Sequence, residues 1–149
     1  MLKKGDKAPE FKLSDANGKT HSLAELKGKT IVLYFYPKDD TPGCTIEACE
    51  FRDAEKEFTK KNAVVIGVSK DSTASHARFA QKQDLKFLLL SDPELSTIKA
   101  YGAWGKKKFM GREYEGVLRT TLAIKNGRVK QRFDGVTPKG HAAQVLKTI

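Results

Sequence analysis

The sequence predicts an α/β fold, a central mixed β-sheet flanked by helices with a β-hairpin at the N-terminus. Three observations carry this. The runs Ile31–Tyr36 and Val64–Val68 are continuously apolar or aromatic, as in strands buried on both faces of a sheet. Between them Ala48, Phe51, Ala54 and Phe58 recur at spacings of three and four, the period of an amphipathic helix, so the unit reads as a right-handed parallel crossover. The dipeptides Asn17-Gly18 and Asn126-Gly127 supply the positive φ values of two-residue hairpin turns, one near each end of the chain.

Taken in order, Glu10–Asp15 and Lys19–Leu23 form the first hairpin around Asn17-Gly18, and Ser22 with Glu25 three residues on is a capping box for a brief helical turn. The strand Ile31–Tyr36 stops at Pro37. The helical pattern then spans Thr45 to Lys61, with Cys44 in its first turn. A second helix is expected from Thr73 to about Asp84 and a short strand at Phe87–Leu90. Next comes a helix capped by Asp92 with Pro93 at its first position. Thr120–Lys125 and Arg128–Phe133 flank Asn126-Gly127 as a second hairpin, and a final helix starts after Pro138. This is the plan of a thioredoxin-like α/β domain. Without repeats, low-complexity tracts or linkers, residues 1–149 read as one domain.

Composition narrows the function classes. Hydrophobic residues make up 39% and charged residues 31%, which excludes disordered and fibrous chains. No apolar run approaches the roughly 20 residues needed to cross a bilayer, and the charged start is unlike a signal peptide, so the expected location is cytoplasmic with no membrane partner. A chain of this size folds without staples, so its two cysteines, Cys44 and Cys49, point to redox chemistry rather than to a structural disulfide. The net charge of +10 permits attraction to nucleic acid, yet no binding motif or aromatic-basic platform accompanies it. It reads as a solvated basic surface, with no specific nucleic acid as partner.

Cys44 lies where a buried strand gives way to a helix, so unpaired N–H groups and the positive end of the helix dipole favour an anion there. Acidity alone does not make a fast nucleophile. For thiols in general, a fall in pKa from about 8.5 to about 6 raises the thiolate fraction at pH 7 roughly 30-fold but removes roughly 13-fold of nucleophilicity. Hydrogen-bond donors aimed at a leaving group must supply the rest. Thr41, three residues upstream, is a candidate donor. Pro37, Pro42 and Gly43 shape the loop so that its N–H groups converge, and Arg119, just before the strand Thr120–Lys125, is a candidate cation.

The motif Pro37-x-x-x-Thr41-x-x-Cys44 resembles the peroxiredoxin signature, and the longer run Tyr34 to Asp53 is similar to the peroxiredoxin Q branch, the bacterioferritin comigratory proteins. The likeness extends through Gly5-Asp6-x-Ala8-Pro9, Leu90-Ser-Asp92, Tyr101-Gly-x-Trp104-Gly and Tyr114-Glu-Gly116, and on into Arg119-Thr-Thr121. It implies a peroxidatic Cys44, a resolving Cys49, a hydroxyl donor at Thr41 and a guanidinium at Arg119. It further implies a peroxide substrate, thioredoxin or a similar dithiol as reductant, and a monomer. No metal, haem or flavin is implied. Two departures stand out: Leu122 replaces a usual aromatic residue, and Lys106-Lys107-Lys108 makes the loop after Trp104 unusually basic.

Five residues of regular helix separate Cα atoms by about 8.6 Å, whereas a disulfide needs less than about 7 Å. A Cys44–Cys49 bond therefore requires residues 40–52 to unwind. The rival enzyme reading, a thiol–disulfide oxidoreductase on the same fold, lacks its Cys-x-x-Cys pattern. Glu47 reads equally as an orienter of Arg119 or as a first-turn acid on the helix dipole. His21, His76 and His141 read as surface histidines, and Trp104 as a core or loop-anchoring indole.

Overall fold

The computed structural model describes residues 2–26 and 28–149. Seven strands form one mixed sheet in the order β2-β1-β5-β4-β3-β8-β9. At its centre β3 (Thr30–Phe35) pairs in parallel with β4 (Ala63–Ser69), and β4 with β5 (Leu88–Ser91). β8 (Thr120–Lys125) joins β3 antiparallel and carries β9 (Arg128–Phe133) outside it, while β1 (Lys12–Ser14) and β2 (Thr20–Ser22) extend the far edge.

The unbroken apolar run of β3 is explained by two cores, one on each face. Ile31, Leu33 and Phe35 enter a cluster with Ile66, Val68, Leu90, Tyr101 and Leu122. Val32, Tyr34 and Tyr36 enter a second cluster with Cys44, Ala48, Phe51, Phe58 and Val145. Successive residues of a strand point to opposite faces, so every position of β3 is buried. Leu122 belongs to the core opposite Cys44, so that departure from the peroxiredoxin pattern leaves the cysteine's surroundings untouched.

Helices α1 (Pro42–Asp53) and α2 (Glu55–Lys60) replace the single helix expected over 45–61. The start moves back because Pro42 supplies a ready-made helical φ where no N–H is needed. The break falls at Ala54, with φ −94° and ψ 5°. α3 (Thr73–Gln83) is capped by the Ser72 side chain, which accepts from Ser75 N. The helix expected at Asp92-Pro93 begins later, as α4 (Ser96–Ala100). Residues 92–95 instead make a tight turn, with Leu95 N donating to Asp92 O and Leu95 at φ 65°. Asp92 still caps, from further back: its carboxylate accepts from Ile98 N at 2.8 Å.

The N-terminal hairpin also differs in its turn. Lys12 pairs with Ser22 and Ser14 with Thr20, leaving a five-residue loop in which Asp15 Oδ1 accepts from Asn17 N and Lys19 N. The side chain of Asp15 thus does the work assigned to a two-residue Asn17-Gly18 turn. Asn126 and Gly127 do take φ of 53° and 76°, as a tight hairpin turn demands. The basic stretch Lys106–Lys108 is no loop: β6 (Trp104–Phe109) and β7 (Arg112–Val117) form a separate two-stranded sheet turned by Met110-Gly111. α5 (His141–Thr148) closes the fold beside α1. Among the described residues no helix is long and apolar enough to cross a membrane.

Candidate active site

The chain leaves β3 at Tyr36, passes through 37–41 and enters α1 with Cys44 as its third residue. The first helical bond runs from Thr45 N to Thr41 O. The N–H groups before it have no acceptor within the helix and are free to meet an anion. Cys44 is 1% exposed, packed with Tyr34, Tyr36 and Ala48. Thr41 occupies the cap position with extended backbone, but its hydroxyl donates to Lys38 O at 2.8 Å rather than back into the helix.

Arg119, which follows the β7 strand and immediately precedes β8, reaches this turn from the strand paired beside β3. Its Nη2 donates to Cys44 Sγ at 3.4 Å and its Nη1 to Glu47 Oε1 at 2.8 Å. Gly43 makes room: a Cβ there would stand 3.2 Å from Arg119 Nη2. Pro42 opens the helix, and Pro138 closes the other side of Gly43 at 3.5 Å from the same Cβ position.

Glu47 is the residue beside Cys44 and Arg119 that sequence reasoning left aside. Its side chain is fully buried, with Oε1 on Arg119 and Oε2 without a partner among the described residues. Burial pushes its pKa up to about 7, and the neighbouring guanidinium offsets this only in part. The signal was its spacing: three residues along a helix return to the same face, so a cation that reaches Cys44 also reaches Glu47. Burial lowers the pKa of Arg119, but the Cys44 sulfur and the Glu47 carboxylate outweigh that and hold it above the ordinary value. Lys107 Nζ donates to Val117 O at 2.9 Å; burial and the charge of Arg119 both lower its pKa.

Cys49 faces elsewhere. Its thiol donates to Gln83 Oε1 at 3.4 Å, on the last residue of α3. Both cysteines are free, and α1 is continuous between them, so their separation is that of a regular helix. Trp104 starts β6, half-buried, with Nε1 donating to Glu115 Oε2 at 2.9 Å.

Two histidines expected on the surface are buried. His76 is 0% exposed, with Nδ1 at 2.7 Å from Asp39 Oδ2 and Nε2 at 3.0 Å from Leu90 O. Leu90 O can only accept, so Nε2 carries a proton, and Nδ1 faces the Asp39 carboxyl. Asp39 also accepts from Tyr36 and Ser75, and its N–H donates to Asp71 Oδ2 at 2.8 Å, which ties the loop ahead of Cys44 to α3 and the end of β4. Ligand atoms of Asp39, Asp71 and His76 lie within 4.8 Å of one another, yet these hydrogen bonds already occupy them. His141 Nε2 lies 2.7 Å from Thr121 Oγ1 and Nδ1 3.0 Å from Gln144 Oε1. Burial lowers its pKa, in keeping with a neutral ring that accepts from Thr121 and donates to Gln144. Apart from Gln144, three residues on from His141, distant segments supply these partners, which is why burial was not legible locally.

Residues 4–132 match the AhpC/TSA family. Peroxiredoxin Bcp of Bacillus subtilis is 48% identical over 146 residues, 97% of this chain and 93% of the relative. Peroxiredoxin Bcp of Escherichia coli is 40% identical over 146 residues, 97% of this chain and 94% of the relative. A cysteine-to-serine mutant of Xylella fastidiosa PrxQ superposes with a TM-score of 0.93 at 33% identity, covering 99% of this chain and 94% of that one. The Xanthomonas campestris bacterioferritin comigratory protein, studied for alkyl peroxide reduction, superposes at 0.87 with 37% identity over 92% of this chain and 88% of that one.

Proposed function

The chain belongs to the AhpC/TSA family and is a peroxiredoxin of the Bcp or Q kind, and from that premise we propose that Cys44 attacks the peroxide and Cys49 resolves the product. The substrates are hydrogen peroxide and organic hydroperoxides. The Cys44 thiolate takes the terminal oxygen, the O–O bond breaks, and the departing hydroxide or alkoxide takes up a proton. Cys44 is left as a sulfenic acid. Cys49, as thiolate, then attacks the Cys44 sulfur; an S–S bond forms, the S–O bond breaks, and the oxygen leaves as water with the proton Cys49 has given up. An external dithiol, thioredoxin or a protein like it, reduces the disulfide and restores both thiols.

The observation that carries this reading is Arg119 Nη2 at 3.4 Å from a sulfur in the first turn of a helix. A fixed cation and free N–H groups at that sulfur stabilise the thiolate and the charge that grows on the peroxide oxygens, an effect worth roughly 10²- to 10³-fold per donor in comparable sites. Thr41 adds a hydroxyl to this group by turning from Lys38 O towards the bound peroxide. Pro37, Pro42 and Gly43 hold the loop. Resolution requires unwinding of 40–52, and the protein works as a monomer.

Thiol counting and intact mass after one equivalent of hydrogen peroxide test these roles. The wild type should lose two thiols, Cys44→Ser should not react rapidly, and Cys49→Ser should accumulate a trappable sulfenic acid. A wild type that keeps both thiols while peroxide persists overturns the assignment.

A further inference from the structure

We propose that Gln83 is a positioning residue that sets the rate of the resolving step, by latching Cys49 in the folded helix until Cys44 has been oxidised. This rests on the two-cysteine cycle above and adds to it which residue holds the second cysteine back.

Two separate contacts converge on Gln83. Its side-chain Oε1 accepts the Cys49 S–H at 3.4 Å, and its main-chain carbonyl accepts Arg52 Nη1 at 2.7 Å. Both donors stand on the second half of α1, three residues apart and therefore on one face. Gln83 is also the last residue of α3, and Asp84 after it turns left-handed at φ 53°. Its carbonyl is one of those a helix end leaves without an internal partner, and Arg52 satisfies it. The back half of α1 is thus pinned to the C-terminal end of α3 at a single residue.

The chemistry of the latch opposes resolution. A thiol that donates a hydrogen bond must keep its proton, whereas attack on the sulfenic acid requires the thiolate. Gln83 Oε1 takes that hydrogen bond at the end of α3, where Arg52 occupies the neighbouring carbonyl. Cys44 has the opposite setting, at the positive end of α1 beside Arg119. Cys49 is freed for its reaction only when it leaves Gln83, which couples deprotonation to the unwinding that brings the sulfurs together.

Single-turnover oxidation of the full chain by hydrogen peroxide, quenched at intervals with a sulfenic acid trap and read by intact mass, separates attack on peroxide from disulfide formation. Gln83→Leu removes the acceptor and should speed disulfide formation about threefold, the lower range for loss of one weak hydrogen bond. Oxidation of Cys44 should be unchanged, and the sulfinic acid formed in excess peroxide should fall by a similar factor. Gln83→Glu keeps an acceptor and adds charge, so it should slow disulfide formation and raise sulfinic acid. Disulfide formation in Gln83→Leu at or below the wild-type rate overturns the latch. So does a Gln83→Glu variant that behaves like Gln83→Leu, since loosened packing would then be the cause. A wild type that forms sulfenic acid but no Cys44–Cys49 bond instead overturns the two-cysteine cycle itself.

Discussion

Arg119 stands 3.4 Å from Cys44 Sγ and 2.8 Å from Glu47 Oε1, so one guanidinium is shared between the sulfur and a buried carboxyl. The fork geometry lets one side chain serve both, which an ammonium on a flexible stem cannot reproduce.

Arg119→Met should therefore slow oxidation of Cys44 by about 10²- to 10³-fold in single-turnover measurements. Arg119→Lys should recover only part of the loss. A lysine variant at wild-type speed would show that charge, not the fork, is what counts.

Glu47 should give the protein a distinctive stability profile. Its folded pKa of about 7 lies above the ordinary 4.5, so between those values the folded state holds a proton that the unfolded state has released. Stability from this group is then lost as pH rises through that window, by on the order of 3 kcal/mol in all. Urea unfolding at steps from pH 4.5 to 7.5 should show a downward trend that Glu47→Gln flattens. An equal slope in the variant would assign the trend to other groups.

His76→Ala should destabilise by about 1–3 kcal/mol, because the buried Asp39 side chain loses its hydrogen bond to His76. Burial raises the pKa of Asp39, but hydrogen bonds from His76 and Tyr36 more than offset that and hold it below the ordinary value. The stabilisation Asp39 contributes is present above pH 3.8 and is lost as pH falls through its lower folded pKa. A shift in the urea midpoint at neutral pH measures the loss; no shift would mean that the pair contributes nothing net.

Gly67→Ala should cost about 1–3 kcal/mol by overpacking. A Cβ at Gly67 on β4 would lie 2.8 Å from Tyr34 Cζ and 3.0 Å from Leu89 Cδ2. Tyr34 is in turn stacked on Phe51 of α1 at 4.8 Å, so it has little room to yield. Thermal unfolding reads the loss directly, and an unchanged midpoint would show that the ring moves freely.

The central strands and the helix that follows β3 were legible because each carries a strong local signal, unbroken apolar runs or a 3.6-residue period, whereas the start of α1 was placed three residues late because Pro42 reads equally as a loop residue. The β6–β7 hairpin had none of these. Lys106, Lys108, Phe109, Arg112, Glu113 and Tyr114 are all exposed, so no alternation marks an inner face. The α4 start was misplaced because Asp92 caps from six residues ahead of Ile98 through a turn that propensities do not encode. At the site, Cys44, Cys49 and Thr41 lie in one loop and helix, whereas Arg119 is 75 residues from Cys44 and only the family resemblance joined them. Glu47 was ambiguous because its meaning depends on that distant cation. Burial of His76 likewise depended on Asp39, 37 positions away.

The break at Ala54 bears on the tempo of the proposed cycle. Phe58 of α2 is 1% exposed and stays rooted in the core beyond the break, so the length of chain that must rearrange is capped near a dozen residues. A helix that short re-forms within about a microsecond. Two proteins that associate at about 10⁶ M⁻¹s⁻¹ and meet at micromolar concentration do so only about once per second. The supply of reductant, and not the elasticity of the enzyme, then sets the pace at which the protein returns to work.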